Sequence, residues 1–318
     1  MAQKTDLNVS PYFDDFSETD NFNRVLFRPG FAIQARELTQ LQSTLQSQIE
    51  RHGSHIFAEG AMVVPGNSLL NLQYYSLKLA STFASETVDP SQYFNTTTPV
   101  TITGATSGVT AVVVGFDAAT STDQPTLYVR YLATGTDNET SFFADGENIS
   151  SNAGVTHVTS YSSNVVSATT FTSSFSAAAG SSAANLASST GPASRKGSAV
   201  TVQAGVYYIR GMFVTCSEET FVLDKYDDTS SYRVGFTVTE TLVTPESDTT
   251  LLDNSTGSSN FAAKGAHRLQ ISLALSKLDR NSTADSSFVE IMDVKDGIIQ
   301  SQVRTTEYSV LEETLARR

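Results

Sequence analysis

Leu38, Leu41, Leu45 and Ile49 follow one another at intervals of three and four residues, the period of an α-helix. The spacing predicts one helix from about Ala35 to Arg51. A Pro29-Gly30 turn ending a short strand, RVLF (24–27), leads into it, and Gly53 stops it. At 100° per residue the four apolar side chains fall within an arc of about 80°, with Arg36, Gln40, Glu50 and Arg51 on the far side. So narrow a stripe is closer to a coiled-coil seam than to a face covering a core. The same stretch carries five glutamines between Gln34 and Gln48. Gln42 and Gln48 flank the stripe, where an uncharged amide can donate and accept across an interface. Two readings stay open, a surface helix lying on a sheet and an interface helix. The interface reading takes in Phe27, Arg28, Pro29 and Gly30 of the entry turn, with Gln34, Leu38, Leu41, Gln42, Leu45, Gln48 and Ile49.

Elsewhere the period shortens to two. HIFAEGAMVVPG (55–66) and the following apolar run read as short strands broken at Gly60 and Pro65-Gly66. VTITGATSGVTAVVVGF (100–116), PTLYVRYLATG (125–135) and FFADGENIS (142–150) alternate between turn residues about every ten positions, as in a small barrel or sandwich. Strands resume from about Gly197, through ETFVLDKY, YRVGFTVTETLV, HRLQISLALSKL and VEIMDVKDGIIQ, the last broken by an Asp-Gly turn. EGAMVVPG (59–66) and AGVYYIRG (204–211) share a pattern that suggests one sheet system. The expected fold is therefore mainly β with one N-terminal α-helix, multi-domain and elongated, made of β-sandwich or small-barrel modules. Its parts are an arm, helix and β docking domain (1–88), an inserted β-module (89–161), a Ser/Ala/Thr-rich connector (162–196) and a β-domain ending in a short helix (197–318). The connector has too little apolar content to offset its ordering entropy. At the front, Tyr12, Phe13, Phe16 and Phe22 fit no period and read as an extended arm whose rings drop into pockets.

Composition narrows the function classes. With 33 acidic against 20 basic residues the net charge is -13, which repels phosphate backbones and argues against nucleic-acid binding. Nowhere do 18 apolar residues run together, so no membrane insertion is expected. The single cysteine, Cys216, forms no internal disulfide and reads as a small buried thiol.

Candidate chemistry is sparse. His52 and His55 stand three apart, but Gly53 lies between them and no third ligand is near in sequence; His157 and His267 are isolated. Asp14-Asp15, Glu218-Glu219, Asp227-Asp228 and Glu312-Glu313 are pairs of acids that glycoside hydrolysis would need to hold across a cleft. ADGE (144–147) and DNSTGSSN (253–260) offer oxygen ligands without the spacing of a calcium loop. Phosphate loop, dinucleotide fingerprint and GxSxG elbow are all missing. No catalytic residue, cofactor or metal site is assigned.

LNVSPYFDDF (7–16), RVLFRPG (24–30), QARELTQLQ (34–42) and HIFAEGAMVVPG (55–66) occur in order, followed by GVYYIRGMFV (205–214), LDKYDDTSSYRVGF (223–236), LLDNSTGSSNFAAKGAHRL (251–269) and LEETLARR (311–318). In these phrases the chain resembles a family of virion structural proteins of tailed bacteriophages, known best from marine cyanobacterial phages. The resemblance implies a baseplate or tail-fibre component in the virion tail, assembled in the host cytoplasm, whose front domain docks to the tail and whose later domains carry a fibre. It further implies other tail, baseplate and fibre proteins as partners, and a homo-oligomer, a trimer. Members commonly continue past L-A-R-R, so a distal receptor-binding part is expected beyond Arg318 or on another protein. The alternative reading is a receptor-binding tail protein that recognises host surface glycan through Tyr74-Tyr75 or Tyr207-Tyr208.

Overall fold

The computed structural model describes residues 4–64, 66–83, 86–162, 165–176, 181–182, 190–191, 193–283, 286–303 and 314–317. The chain is mainly β, with one N-terminal helix, α1 (Ala35–Ser54), and several sheets, none of which closes into a barrel among the described residues. Strands of three or more residues are β1 (Met62–Val64), β2 (Ser68–Lys78), β3 (Thr101–Gly104), β4 (Thr110–Asp117), β5 (Thr126–Ala133), β6 (Asn148–Ser162) and β7 (Val165–Ser176). They continue with β8 (Ser194–Val202), β9 (Gly205–Ile209), β10 (Met212–Cys216), β11 (Glu219–Asp224), β12 (Tyr232–Val243), β13 (Arg268–Asp279), β14 (Phe288–Lys295) and β15 (Ile298–Gln302). Two compact units result. The first takes Met1–Leu69, Thr201–Phe221 and Ser231–Arg318; the second takes Leu70–Val200 and Val222–Ser230.

In the first unit β1, β9 and β10 make a three-stranded sheet, and β13-β12-β14-β15 a four-stranded one. The two phrases that look alike in sequence pair directly, Met62 opposite Tyr207 and Val64 opposite Val206. Both tight hairpins turn on two residues in the left-handed region, Arg210-Gly211 between β9 and β10 and Asp296-Gly297 between β14 and β15, as their strand twist requires. The core lies between the sheets, where Tyr207 packs edge-on against Phe236 at 4.8 Å, with Met62, Ile209, Val234 and Ile291 buried around them. RVLF is not a strand: residues 22–28 belong to no ladder among the described residues, and Leu26 and Phe27 are exposed rather than packed in a sheet.

Charge fixes the start of the chain to this unit. Glu240 on β12 accepts hydrogen bonds from the backbone of Lys4 and Thr5 and from the Thr5 hydroxyl, and pairs with Arg210 at 2.5 Å. The Arg210 backbone N–H donates to Glu59 at 2.8 Å, so one turn, one strand and the arm meet at two carboxylates. Burial opposes charge on Glu240, but the hydrogen bonds from Thr5, Lys4 and Arg210 outweigh it and hold the carboxyl down at about 2.

The second unit is built on one sheet in the order β11-β8-β2-β5-β4-β3-β6-β7. Its core gathers Leu77, Ile102, Val109, Leu127, Phe143 and Ile149, all almost wholly buried. The Ser/Ala/Thr-rich stretch is not all connector: 165–176 pairs along β6, while 177–180 and 183–189 lie outside the described residues. Beside the core sits a second charge cluster. Lys78, whose side chain is 1 % exposed, lies 3.4 Å from Asp123 and over the Tyr226 ring at 4.4 Å. Asp123 also accepts from the Tyr226 hydroxyl at 2.7 Å and from Lys225 at 3.3 Å, while Lys225 pairs with Asp117 at 2.7 Å. Burial disfavours the Asp123 charge, but Tyr226 and the two lysines prevail and lower its pKa.

Two outcomes are expected. Replacing Asp123 with Ala removes a carboxylate beside the buried Lys78 and should cost about 3–5 kcal/mol in equilibrium denaturation; a loss below about 1 kcal/mol would show the cluster to be dispensable. The Glu240 contribution is fully present above its ordinary value of 4.5 and fades as pH falls toward about 2. The thermal midpoint should therefore drop more steeply between those limits in the wild type than in Glu240→Gln, and parallel curves would remove Glu240 from the acid response.

Candidate assembly interface

Helix α1 opens with a reciprocal cap, the Gln34 backbone N–H donating to Glu37 at 2.9 Å and the Glu37 N–H to the Gln34 carbonyl at 3.1 Å. It does not stop at Gly53 but runs through it to Ser54. The glycine is needed for packing: a Cβ there would stand 2.6 Å from the Tyr208 ring. The Tyr208 hydroxyl donates to the Glu50 carbonyl at 2.9 Å, and Phe57, just past the helix, packs at a tilt against Tyr208 and edge-on against Phe213. The C-terminal turns of α1 are thereby seated on the β9-β10 hairpin.

The helix turns its polar side inward. Its buried residues are Thr44, Ser47 and Gly53, and the arm lies against that side through its acids. Ser43 donates to Asp14 at 2.5 Å, Ser47 to Glu18 at 2.8 Å, and Arg51 to Glu18 at 2.8 Å. Gln40 donates to Asp15, which Arg36 also reaches at 3.2 Å. The Arg51 hydrogen bond and then that of Ser47 lower the Glu18 pKa. Ser43, Ser47, Arg36, Gln40 and Arg51 are centred on the direction roughly opposite the leucine stripe at 100° per residue.

The stripe is left to solvent. Leu38 is 52 % exposed, Leu41 37 %, Leu45 54 % and Ile49 52 %, values that a core-facing helix does not show. Gln34, Gln42 and Gln48 are exposed beside them. Ahead of the helix, Pro29 and Gly30 form an exposed turn, Gly30 in the left-handed region. Phe27 is partly exposed, and the Arg28 guanidinium sits over the Phe31 ring at 4.9 Å. Every residue that the sequence assigned to the interface thus lies on accessible surface. Reasoning from the sequence missed Leu26, Phe31 and Ile33, which are more exposed than the stripe itself, and missed the acids that hold the arm. Arm rings do less than expected. Tyr12 packs edge-on against His267, but Phe13 and Phe22 point outward. The missed signal was the run of small polar residues, Ser43, Thr44, Ser47 and Gly53, away from the leucines.

The remaining candidates fall into structural roles. His52 and His55 are exposed near the helix end, and among the described residues no three His, Cys, Asp or Glu gather closely enough to hold a metal ion. Burial pushes the Cys216 thiol up, and it donates to the Ser217 carbonyl. Glu147 of the ADGE loop accepts from the backbone of Thr106, Ser107 and Ala144, while Asp145 accepts from the Ala193 N–H. Glu312-Glu313 lies outside the described residues. Neither tyrosine pair is an open binding loop: Tyr207 and Tyr208 are buried, and Tyr74 and Tyr75 stack on Tyr128 and Tyr131 from within β2. No helix among the described residues is long and apolar enough to cross a membrane.

Fold and surface together define a multi-sheet β-protein whose only long helix among the described residues presents its apolar side outward. The chain belongs to the family described as Domain of unknown function (DUF4815), whose model matches residues 10–164 and 185–318. No curated protein matches it, and no solved structure does.

Because Gly53 is fixed by the Tyr208 ring, Gly53→Ala should push α1 off the hairpin and cost about 1–3 kcal/mol in chemical denaturation. An unchanged or raised stability would show that the helix seat has slack.

Proposed function

We propose that this protein is a non-enzymatic structural component of a bacteriophage tail, a baseplate or tail-fibre adaptor that docks through its N-terminal region and positions fibres. The observation that carries the reading is the outward apolar stripe of α1, held outward by a polar seat on the other side. Water-exposed leucines in a row are costly and mark a surface that a protein partner covers. The surface belongs to the same segment, 24–53, that most resembles phage virion proteins. The phrases shared with those proteins also take in the hairpin that seats the helix, GVYYIRGMFV, so the resemblance and the exposed surface fall on one substructure. Its work would be mechanical: several buried contacts, each modest, hold position when the tail meets a host.

Immunogold microscopy with an antibody to the purified protein, on particles of a tailed phage that encodes it, tests the assignment. Label at the tail or baseplate is expected. Label confined to heads, or particles without the protein, would overturn the reading.

A further inference from the structure

We propose that the outward face of α1 is closed by the same face of a second copy of this chain, the helices running parallel and in register. The inference rests on the docking role proposed above for this face and names its occupant.

Gln34, Leu38, Leu41, Leu45 and Gln48 recur at intervals of four, three, four and three, the alternation of the two core positions of a heptad. All five are exposed, Leu38, Leu41, Leu45 and Gln48 within α1 and Gln34 at its N-cap, where its amide oxygen accepts from Arg36 at 2.8 Å. In a parallel, in-register pair every residue meets its own copy. Leucine then meets leucine in three successive layers, closed at the C-terminal end by a Gln48 layer. An amide both donates and accepts, so it is its own complement; such polar layers fix register. An antiparallel pair centred on Leu41 and Leu45 would set Leu38 against Gln48 and bury each amide against hydrocarbon, leaving it unpaired.

Charge points to the same occupant. The chain carries -13, so copies repel one another over most approaches. The seam has no charged residue, nor do Ala35, Gln42 and Ile49 along its open flank. On the other flank Thr44 is buried, Arg51 is engaged by Glu18, and Glu37 is taken up by the helix cap. Area supplies a further constraint. A helix of 20 residues is about 30 Å long, a short seam to set against the roughly 1,200 Å² at which stable interfaces begin. Phe31 and Ile33, exposed just ahead of the helix, extend the apolar surface of each copy.

Light scattering on the purified full chain, over concentrations up to about 100 μM, should give the mass of two or more copies. Leu41→Asp with Leu45→Asp should return the mass to a single copy, a rise in dissociation constant of at least about 100-fold. The folded circular-dichroism spectrum should persist, because both side chains are exposed. Gln48→Cys, whose thiol is accessible where Cys216 is buried, should oxidise to a cross-link between copies. A single-copy wild type throughout, or an assembly indifferent to the aspartates, overturns the inference. So does a mixture of Leu38→Cys and Gln48→Cys chains that cross-links to each other in preference to themselves, since that pairing is antiparallel. Failure here is separable from failure of the tail assignment: a single-copy chain that still labels tails would put another protein on the stripe, and a self-associating chain absent from tails would leave the seam without the tail role.

Discussion

The arrangement at the front of this protein depends on three carboxylates, those of Asp14, Asp15 and Glu18, lying along one side of α1. An amphipathic helix set beside a β-hairpin ordinarily rolls until its leucines face the sheet, since burying a Leu or Ile side chain stabilises by about 1.5–3 kcal/mol. Here the side seated against the arm and hairpin is the one with hydroxyls, an amide, two guanidiniums and a glycine. Rolling the helix would break the hydrogen bonds from Ser43 and Ser47 and drive bulk into the space that Gly53 leaves for Tyr208. The leucines face outward because the opposite face is committed.

The same device recurs through both units. Glu240 gathers the chain start and the β9-β10 turn; Glu147 gathers two loops; Asp123 gathers two lysines and a tyrosine. Each is a carboxylate with several donors, and each ties a loop, a turn or the arm to the rest of its unit. Such sites suit a chain with only 39 % apolar residues, in which loops cannot be held by hydrophobic contact alone. A fully satisfied polar network is rigid, and a partly satisfied one is a liability. Losing one donor therefore affects everything else bound to the same group.

What the sequence revealed and what it hid divide along a physical line. Periodicity is local, so the helix, the long strands β12 and β13 and the Asp296-Gly297 turn could be read from spacing. The helix stripe could be read too, but whether it lay on a sheet or faced outward stayed open, because spacing along one helix does not say what packs against it. Pairing partners are non-local. RVLF has strand composition but no neighbour to complete a ladder, and the likeness of EGAMVVPG to AGVYYIRG became a pairing only when the intervening 140 or so residues folded away as their own unit. Gly53 read as a stop because helix-ending glycines are common, whereas what it avoids is a ring more than 150 positions on. Acids spaced along an irregular arm carry no period, so their contact with α1 left no trace in the pattern.

The arm also sets an order of events. Until Asp14, Asp15 and Glu18 are in place, nothing prevents α1 from laying its leucines on whatever apolar surface is nearest, including its own chain. The exposed stripe is therefore a property of helix and arm together: acids on one side of α1 decide which way the leucines on the other side face.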